Sequence, residues 1–408
     1  MNASPLISLD EALSRVLGAV RPPETRESLA LAEALGRILA QDFYATLDVP
    51  PADNSAMDGY ALASSLAGQI VPVESTVFAG DVPTAVSESA SARVFTGAEI
   101  PDGADAVVIQ EDVELCGDRV RMPEDILAGQ HIRRRGQDCR RGELLLAAGR
   151  RLVPQDLGLI ASQGIAEVSV FGSLKVALLS TGKELREPGS GDLPRAAIFN
   201  SNRPMLQGLL RKLGCEVLDF GIVDDTPQAT EQALSSAADQ ADVIISSGGV
   251  SVGEADHVRD AVEKLGAIDL WRIAIKPGKP FAFGSVRKRA GSAAQFIGLP
   301  GNPTSAFVTF LLLARPFVLA LQGCTDVRPS RVPGIADFTV KRAGTREEFL
   351  RVRTELQEGR LLATPYTNQS SGVLRSVTES NALAIVPRGQ TIARGDSIEL
   401  LMLDTLLV

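Results

Sequence analysis

The residues able to do chemistry sit in turns between apolar segments. The densest stretch is 243–256, V-I-I-S-S-G-G-V-S-V-G-E-A-D. Val243, Ile244, Ile245 and Ser246 read as a short buried strand that runs into Gly248 and Gly249. Gly253 follows, and Glu254 and Asp256 then open a helical pattern ending at Gly266. Strand, glycine turn and helix start expose backbone N–H groups to an anion. Asp256 can cap that helix or hold a cation arriving with the anion. A glycine turn alone is more often a plain tight turn than a site. Here Glu184, Asp224-Asp225, Lys276, Lys279 and Gly301-Asn302 stand at comparable places after other apolar segments. Lysines in a loop stiffened by Pro277 and Pro280 suit phosphate, and carboxylates beside them suit Mg²⁺. The pattern implies a phosphorylated, nucleotide-like ligand with a divalent cation.

The elements that position these residues alternate. From 176 to about 321 the chain reads strand, turn, amphipathic helix, repeated: strands at 176–180, 217–222, 243–246, 270–275, 281–283 and 296–299. A helix starts at Asn202-Arg203-Pro204, another at Thr226-Pro227 and a long apolar one at Asn302-Pro303. This predicts a doubly wound sheet with ligands at the C-terminal ends of its strands. Upstream, Ser8-Leu9-Asp10-Glu11 is a capping box for a first helix, and 32–39 reads as a second helical piece. Residues 48–60 form a Pro-, Asp- and Asn-rich loop, followed by short strands that predict a small β domain. That region closes on a basic run in which Arg133-Arg134-Arg135 is the part best suited to meet an anion. Beyond 329, short β segments predict a small barrel or sandwich. The expected divisions are 1–47 with 141–175 (a discontinuous linker domain), 48–140, 176–327 and 328–408.

Composition narrows the class. The chain has 408 residues, 45% hydrophobic and 22% charged, with ample core for several domains. A formal net charge of -9 disfavours nucleic acid as a partner. No run of 18 apolar residues and no basic, apolar leader occurs, so neither a membrane span nor a signal peptide is expected. Four scattered cysteines fit reduced cytoplasmic thiols. With His131 and His257 the sole histidines, catalysis must rest on carboxylates, Lys, Arg and backbone.

Six motifs in order carry a family resemblance: D-N-S-A-M-D-G-Y (53–60), F-T-G-A-E-I-P-D-G-A-D-A-V-V (95–108), S-T-G-K-E-L (180–185), S-S-G-G-V-S-V-G-E-A-D (246–256), I-K-P-G-K-P-F-A-F-G (275–284) and G-L-P-G-N-P (298–303). Together they resemble the molybdopterin molybdenumtransferase family, relatives of the gephyrin E domain, over essentially the whole chain. The resemblance implies a four-domain homodimer. Its cleft would lie between the doubly wound domain of one protomer and the small β domain of the other. It also implies the reaction: adenylylated molybdopterin binds with Mg²⁺, molybdate is inserted as substrate at the dithiolene, and AMP leaves. Asp58 and Thr96 would come from the small β domain. Glu184, Asp224 and Asp256 would be the catalytic and metal-holding carboxylates of the doubly wound domain. Ser247, Gly248, Gly249, Ser251, Pro300, Asn302 and Pro303 would seat the ligand, with Lys276, Lys279 and Arg135 for anionic groups. Arg351 and Ser371 would complete the pocket from the C-terminal domain.

Lys183 departs from the family motif, which more often has Asp or Asn there. A lysine at that place can pair with Glu184 or add to the anion site. Two rival readings stand beside this one. One is the sister molybdopterin adenylyltransferase, which is also a candidate partner; it leaves the N-terminal region without a job. The other is a non-catalytic dimeric scaffold, which would be free to lose the acidic and lysine positions.

Overall fold

The structure, a computed structural model, describes residues 6–21, 23–249 and 257–406. Its centre is a seven-stranded sheet in the order Leu6–Ile7, Gly266–Ile273, Pro280–Arg287, Ala293–Leu299, Val243–Ser247, Lys175–Thr181, Glu216–Val223. The last four strands run parallel to one another. Pro280–Arg287 is antiparallel to both of its neighbours. Parallel strands covered on both faces must be apolar on both, and these are. Along Lys175–Thr181, Val176 and Leu178 join the core beneath the sheet, while Ala177 and Leu179 join the core above it. Helices Leu9–Gly18 and Asn202–Lys212 and the helical run Pro303–Leu321 cover one face; Pro227–Gln240 and His257–Leu265 cover the other.

The run Pro303–Leu321 is long and apolar enough by length and composition to cross a membrane, but 89% of it is buried inside the protein. Packing against the sheet accounts for its apolarity. It contains a π-helical stretch, Phe310–Ala314, between two α-helical segments.

The N-terminal segment departs from the expected division. Leu6–Ile7 pairs in parallel with Gly266–Ile273 at the sheet edge, and helix Leu9–Gly18 packs Ala12, Leu13 and Val16 into the central core. These residues therefore belong to the α/β unit and not to the linker domain. The expected cap is present, with the Glu11 N–H donating to Ser8 Oγ at 3.2 Å. The helical piece expected at 32–39 is only a 3₁₀ turn, Leu31–Glu33. Gly36 takes a φ of 76° there, and Arg37 and Leu39 exchange backbone bonds with Leu152 and Arg150 instead.

The linker domain is discontinuous, as its pairings require. Arg26–Ala30 pairs with Glu167–Phe171, and Phe43–Tyr44 with Leu144–Leu146, around Leu39, Leu152, Ile160 and Val170. The small β domain is a six-stranded sheet in which Gly59–Leu62 lies between Ser91–Val94 and Ala106–Ile109. In the C-terminal unit, Glu347–Gln357 pairs with both Arg360–Pro365 and Ala382–Val386, which closes five strands into a barrel and decides against a sandwich.

Candidate active site

The chain crosses from Glu216–Val223 on one side of Lys175–Thr181 to Val243–Ser247 on the other. Between the latter two strands the sheet changes winding direction, and a crevice opens beyond their C-terminal ends. Ser180 and Ser247 end these strands, both buried, with their hydroxyls 2.9 Å apart. The chain then turns through Gly248 and Gly249, at φ of 94° and 68°. Only glycine enters that region without strain. Gly248 N–H donates to Leu299 O at 3.0 Å, and a side chain at Gly249 would overlap Val258. Beside it, Asn302 occupies the N-cap position and Pro303 the first turn of the next helix.

A cleft of about 760 Å³ fills this corner. Ser247, Gly248, Gly249, Pro300, Asn302 and Pro303 line it, as the sequence predicts, and so does Glu184. His257, at the start of helix His257–Leu265, lines it as well. Ser371 reaches it indirectly: the Asn302 amide donates to Ser371 Oγ at 3.0 Å, and Thr304 N–H donates to Ser371 O at 3.1 Å. Gly372 and Leu374 of the same loop form part of the wall. Ser251 and Asp256 lie outside the described residues.

Other expected residues stand elsewhere. Asp224 is exposed off the cleft, and Asp225 lines it instead, 3.4 Å from the Thr181 hydroxyl that donates to it. The strand ends at Val223, and the bend that follows turns Asp225, not Asp224, onto the cleft. Lys276 forms an ion pair with Glu348 of the barrel at 2.7 Å and does not line the cleft. Lys279 also stands off the wall, which its neighbour Pro280 joins. Arg351 is 1% exposed, under the loop that carries Ser371. It donates to Ser376 Oγ at 3.2 Å and to Phe349 O at 3.1 Å, and burial pushes its pKa down to about 10. Gln369 holds this arrangement, accepting from Arg351 N–H and donating to the carbonyls of Arg351 and Tyr366. Among the described residues no ion pair joins Lys183 to Glu184.

Asp58, Thr96 and Arg135 are on the small β domain, and none lines this chain's cleft. Thr96 N–H and Oγ1 both donate to Asp58 Oδ1, at 2.8 and 2.9 Å. These bonds hold the Asp58 carboxyl below its ordinary range, the backbone one most strongly. Arg93 lies over the Tyr60 and Phe95 rings beside them. The arginine triple is largely engaged: Arg134 pairs with Asp53 at 2.6 Å and Arg135 with Asp48 at 2.7 Å.

Among the described residues no group of three or more His, Cys, Asp or Glu is placed to hold a metal ion. Glu184 and Asp225 nevertheless offer two oxygen donors on one cleft, the protein share that Mg²⁺ takes when a phosphate ligand supplies the rest. The donor set fits a hard cation carried in with its ligand.

A multidomain α/β protein whose glycine turn, helix start and carboxylates converge at a sheet switch point belongs to the class that binds anionic ligands there. The comparisons make the class particular. Residues 7–164 match the MoeA N-terminal region (domain I and II), 177–320 a probable molybdopterin binding domain, and 333–403 the MoeA C-terminal region (domain IV). The chain is 40% identical to a molybdopterin molybdenumtransferase of Haemophilus influenzae, covering 96% of this chain and 98% of that one. It is 36% identical to one of Synechococcus elongatus, covering 97% and 99%. The solved structure of the molybdopterin biosynthesis moeA protein from Pyrococcus horikoshii OT3 superposes with a TM-score of 0.83 at 29% identity, covering 98% of this chain and all of that one. The chain belongs to the molybdopterin molybdenumtransferase family, transferases of molybdenum cofactor biosynthesis.

Proposed function

We propose that this protein transfers molybdenum from molybdate to adenylylated molybdopterin, releasing AMP and leaving the metal on the dithiolene. The observation that carries this is the meeting, in one cleft, of an anion-seating wall with a carboxylate wall. The first wall is the Gly248–Gly249 turn and the helix start at Asn302; the second is Glu184 and Asp225. With the Gly248 and Thr304 N–H groups bonded to Leu299 O and Ser371 O, the seat rests on the other N–H groups of the turn and the helix start, which favour phosphate oxygens without bringing a mobile charge. A Mg²⁺ held by Glu184 and Asp225 would neutralise the phosphoanhydride and polarise it. Asp256 would add a third carboxylate to that set.

The protein's own groups then have distinct tasks. The buried Ser180–Ser247 hydroxyl pair and the two positive-φ glycines fix the anion wall in shape. The barrel loop, through Ser371 on Asn302, closes one end of the cleft. Each oxygen that molybdate loses as water needs two protons, and a carboxyl is the group able to relay them here. Glu184 on the cleft and Asp58 from the small β domain are the candidates, with Asp224, Lys276, Lys279, Arg135 and Arg351 acting from farther out. Because Asp58 and Thr96 stand off this chain's cleft, they serve it from a second copy: the working form is a homodimer in which Asp58 and Thr96 of the partner subunit complete the site. Its setting is the cytoplasm, where thiols stay reduced, and the adenylyltransferase that makes its substrate is a candidate docking partner.

The test is AMP release from adenylylated molybdopterin with Mg²⁺, with and without molybdate. Molybdate-dependent release is the expected result. Tight binding without such release would overturn insertion and favour a dimeric scaffold.

A further inference from the structure

One wall of the cleft has a different chemistry from the anion seat. The short strand Ile198–Phe199 leaves both side chains exposed, 54% and 39%, and both line the cleft. Large apolar side chains left open at a cleft wall mark a binding face. The next residues on the same wall are Asn200 and Asn202, only 2% and 7% exposed.

Among the described residues, each asparagine is anchored at one end and unpartnered at the other. Asn200 Oδ1 accepts from Arg203 N–H at 3.2 Å, which fixes the amide and leaves Nδ2 buried without a partner. Asn202 Nδ2 donates to Gly301 O at 2.7 Å, which leaves Oδ1 buried without a partner. Buried polar atoms without a partner are costly, and of those in the described residues these two belong to cleft-lining side chains, where a group from outside the chain can supply the partner. The pair therefore offers one free donor and one free acceptor two residues apart, beside an open aromatic ring.

We propose that residues 198–202 form a heterocycle-reading wall, with Phe199 packing on the face of a flat nitrogen heterocycle. Asn200 Nδ2 and Asn202 Oδ1 take an acceptor and a donor on its edge. A phosphate does not fit this wall, because Asn202 Oδ1 would face an anion with a lone pair and Phe199 offers it nothing. An edge with adjacent donor and acceptor belongs to pterins and to adenine alike, and both occur in the ligand assigned above. The inference rests on that assignment and deepens it, by dividing the cleft into a heterocycle half and a phosphate half.

The test is calorimetric titration of the full chain with 6-hydroxymethylpterin, with adenosine and with pyrophosphate. It uses wild type, Phe199→Ala and Asn200→Asp, with thermal melts of each. Phe199 is exposed, so its truncation places little load on folding. Asn200→Asp keeps an oxygen to cap Arg203 but turns the donor into a charged acceptor, so its melt reads the folding cost separately. Whichever heterocycle the wild type binds identifies the half-site's occupant, and Phe199→Ala is expected to weaken it roughly tenfold, the scale of one base-stacking contact. Asn200→Asp is expected to weaken it similarly, while Phe199→Ala leaves pyrophosphate binding unchanged. Heterocycle affinity untouched in both variants, or no heterocycle binding by the wild type, would overturn the inference. Molybdate-dependent AMP release by the wild type is read separately: its absence overturns the assigned reaction, whereas unchanged heterocycle binding in the variants overturns this wall alone.

Discussion

The Asn302 side-chain amide donates to the Ser371 hydroxyl at 3.0 Å, joining the C-terminal barrel to the helix start that faces the cleft. The N-cap residue thus turns its polar group toward another domain instead of onto its own helix. Thr304 strengthens the joint through Ser371 O and Val373 O. Removing the hydroxyl with Ser371→Ala costs about 0.5–1.5 kcal/mol, the net worth of one hydrogen bond. The expected result is a raised KM for adenylylated molybdopterin with kcat nearly kept. An unchanged KM would mean that the barrel does not shape the site.

Gly249 tests the anion wall. An alanine there takes on about 1–2 kcal/mol of left-handed backbone strain. It also drives its methyl into Val258, which adds overpacking of about 1–3 kcal/mol. Gly249→Ala should lower the melting temperature and abolish pyrophosphate binding. Adding Val258→Ala should recover part of the stability and none of the backbone strain. Full recovery by the double variant would refute the positive-φ argument.

Asp58 and Thr96 make a prediction about pH. The folded-state pKa of Asp58 is lowered, first by the Thr96 N–H and then by its hydroxyl. A lowered carboxylate contributes above its unfolded value and loses that contribution as pH falls through the folded one. Thr96→Val removes only the hydroxyl, so the Asp58 carboxyl should rise part of the way toward its ordinary 3.8 and no further. Carboxyl-carbon NMR titration reads this directly, and no movement would show that the hydroxyl has no part in it, leaving the Thr96 N–H and the Arg93 charge to hold the carboxyl down.

If the cleft is shared between subunits, Asp58→Asn and Glu184→Gln are each inactive as homodimers. Mixing the two after dissociation should restore activity, because one of the two sites in a mixed dimer is then intact. Failure to complement, with mixed dimers demonstrated by mass, would place both residues in one subunit's site.

The cysteines respond to burial. Burial raises the Cys215 thiol to about 12 and pushes Cys139 upward as well. The thiolate is the reactive form, so both should resist a disulfide reagent at pH 8 in the folded protein and react on unfolding. Cys116, half-buried on a strand of the small β domain, should be labelled first. Early labelling of Cys215 would contradict its place in the core.

Much of this fold is legible locally. The Ser8 N-cap (though not the reciprocal half of its capping box, since Glu11 pairs with Arg15), the Thr226-Pro227 start and the apolar strands before each glycine or polar turn appear where the sequence puts them. So does the cleft they frame. What escaped depends on partners distant in sequence. Leu6–Ile7 has no local signal as a strand, since its partners are Arg272 and Ile273. Residues 32–39 read as helical because their apolar spacing permits it, while pairing with 150–152 decides otherwise. Arg134 and Arg135 look like an anion site until Asp53 and Asp48 come beside them. Asp225 over Asp224 is the instructive case, because the choice is made by the bend after Val223, which the pair of aspartates does not reveal in sequence. The buried, half-anchored amides of Asn200 and Asn202 have no sequence signature beyond their turn.

The edge pairing of Leu6–Ile7 with Gly266–Ile273 also orders the protein's assembly in time. The linker and small β domains are threaded between two strands that touch, as insertions within the α/β unit. On the ribosome, helix Leu9–Gly18 emerges early, and the sheet edge above it cannot close until Ile273 has left the exit tunnel. The inserted domains, rich in nearer pairings, are free to fold first. The catalytic sheet is thus the last of these parts to be completed, so a chain interrupted before residue 266 would carry folded side domains and no finished cleft.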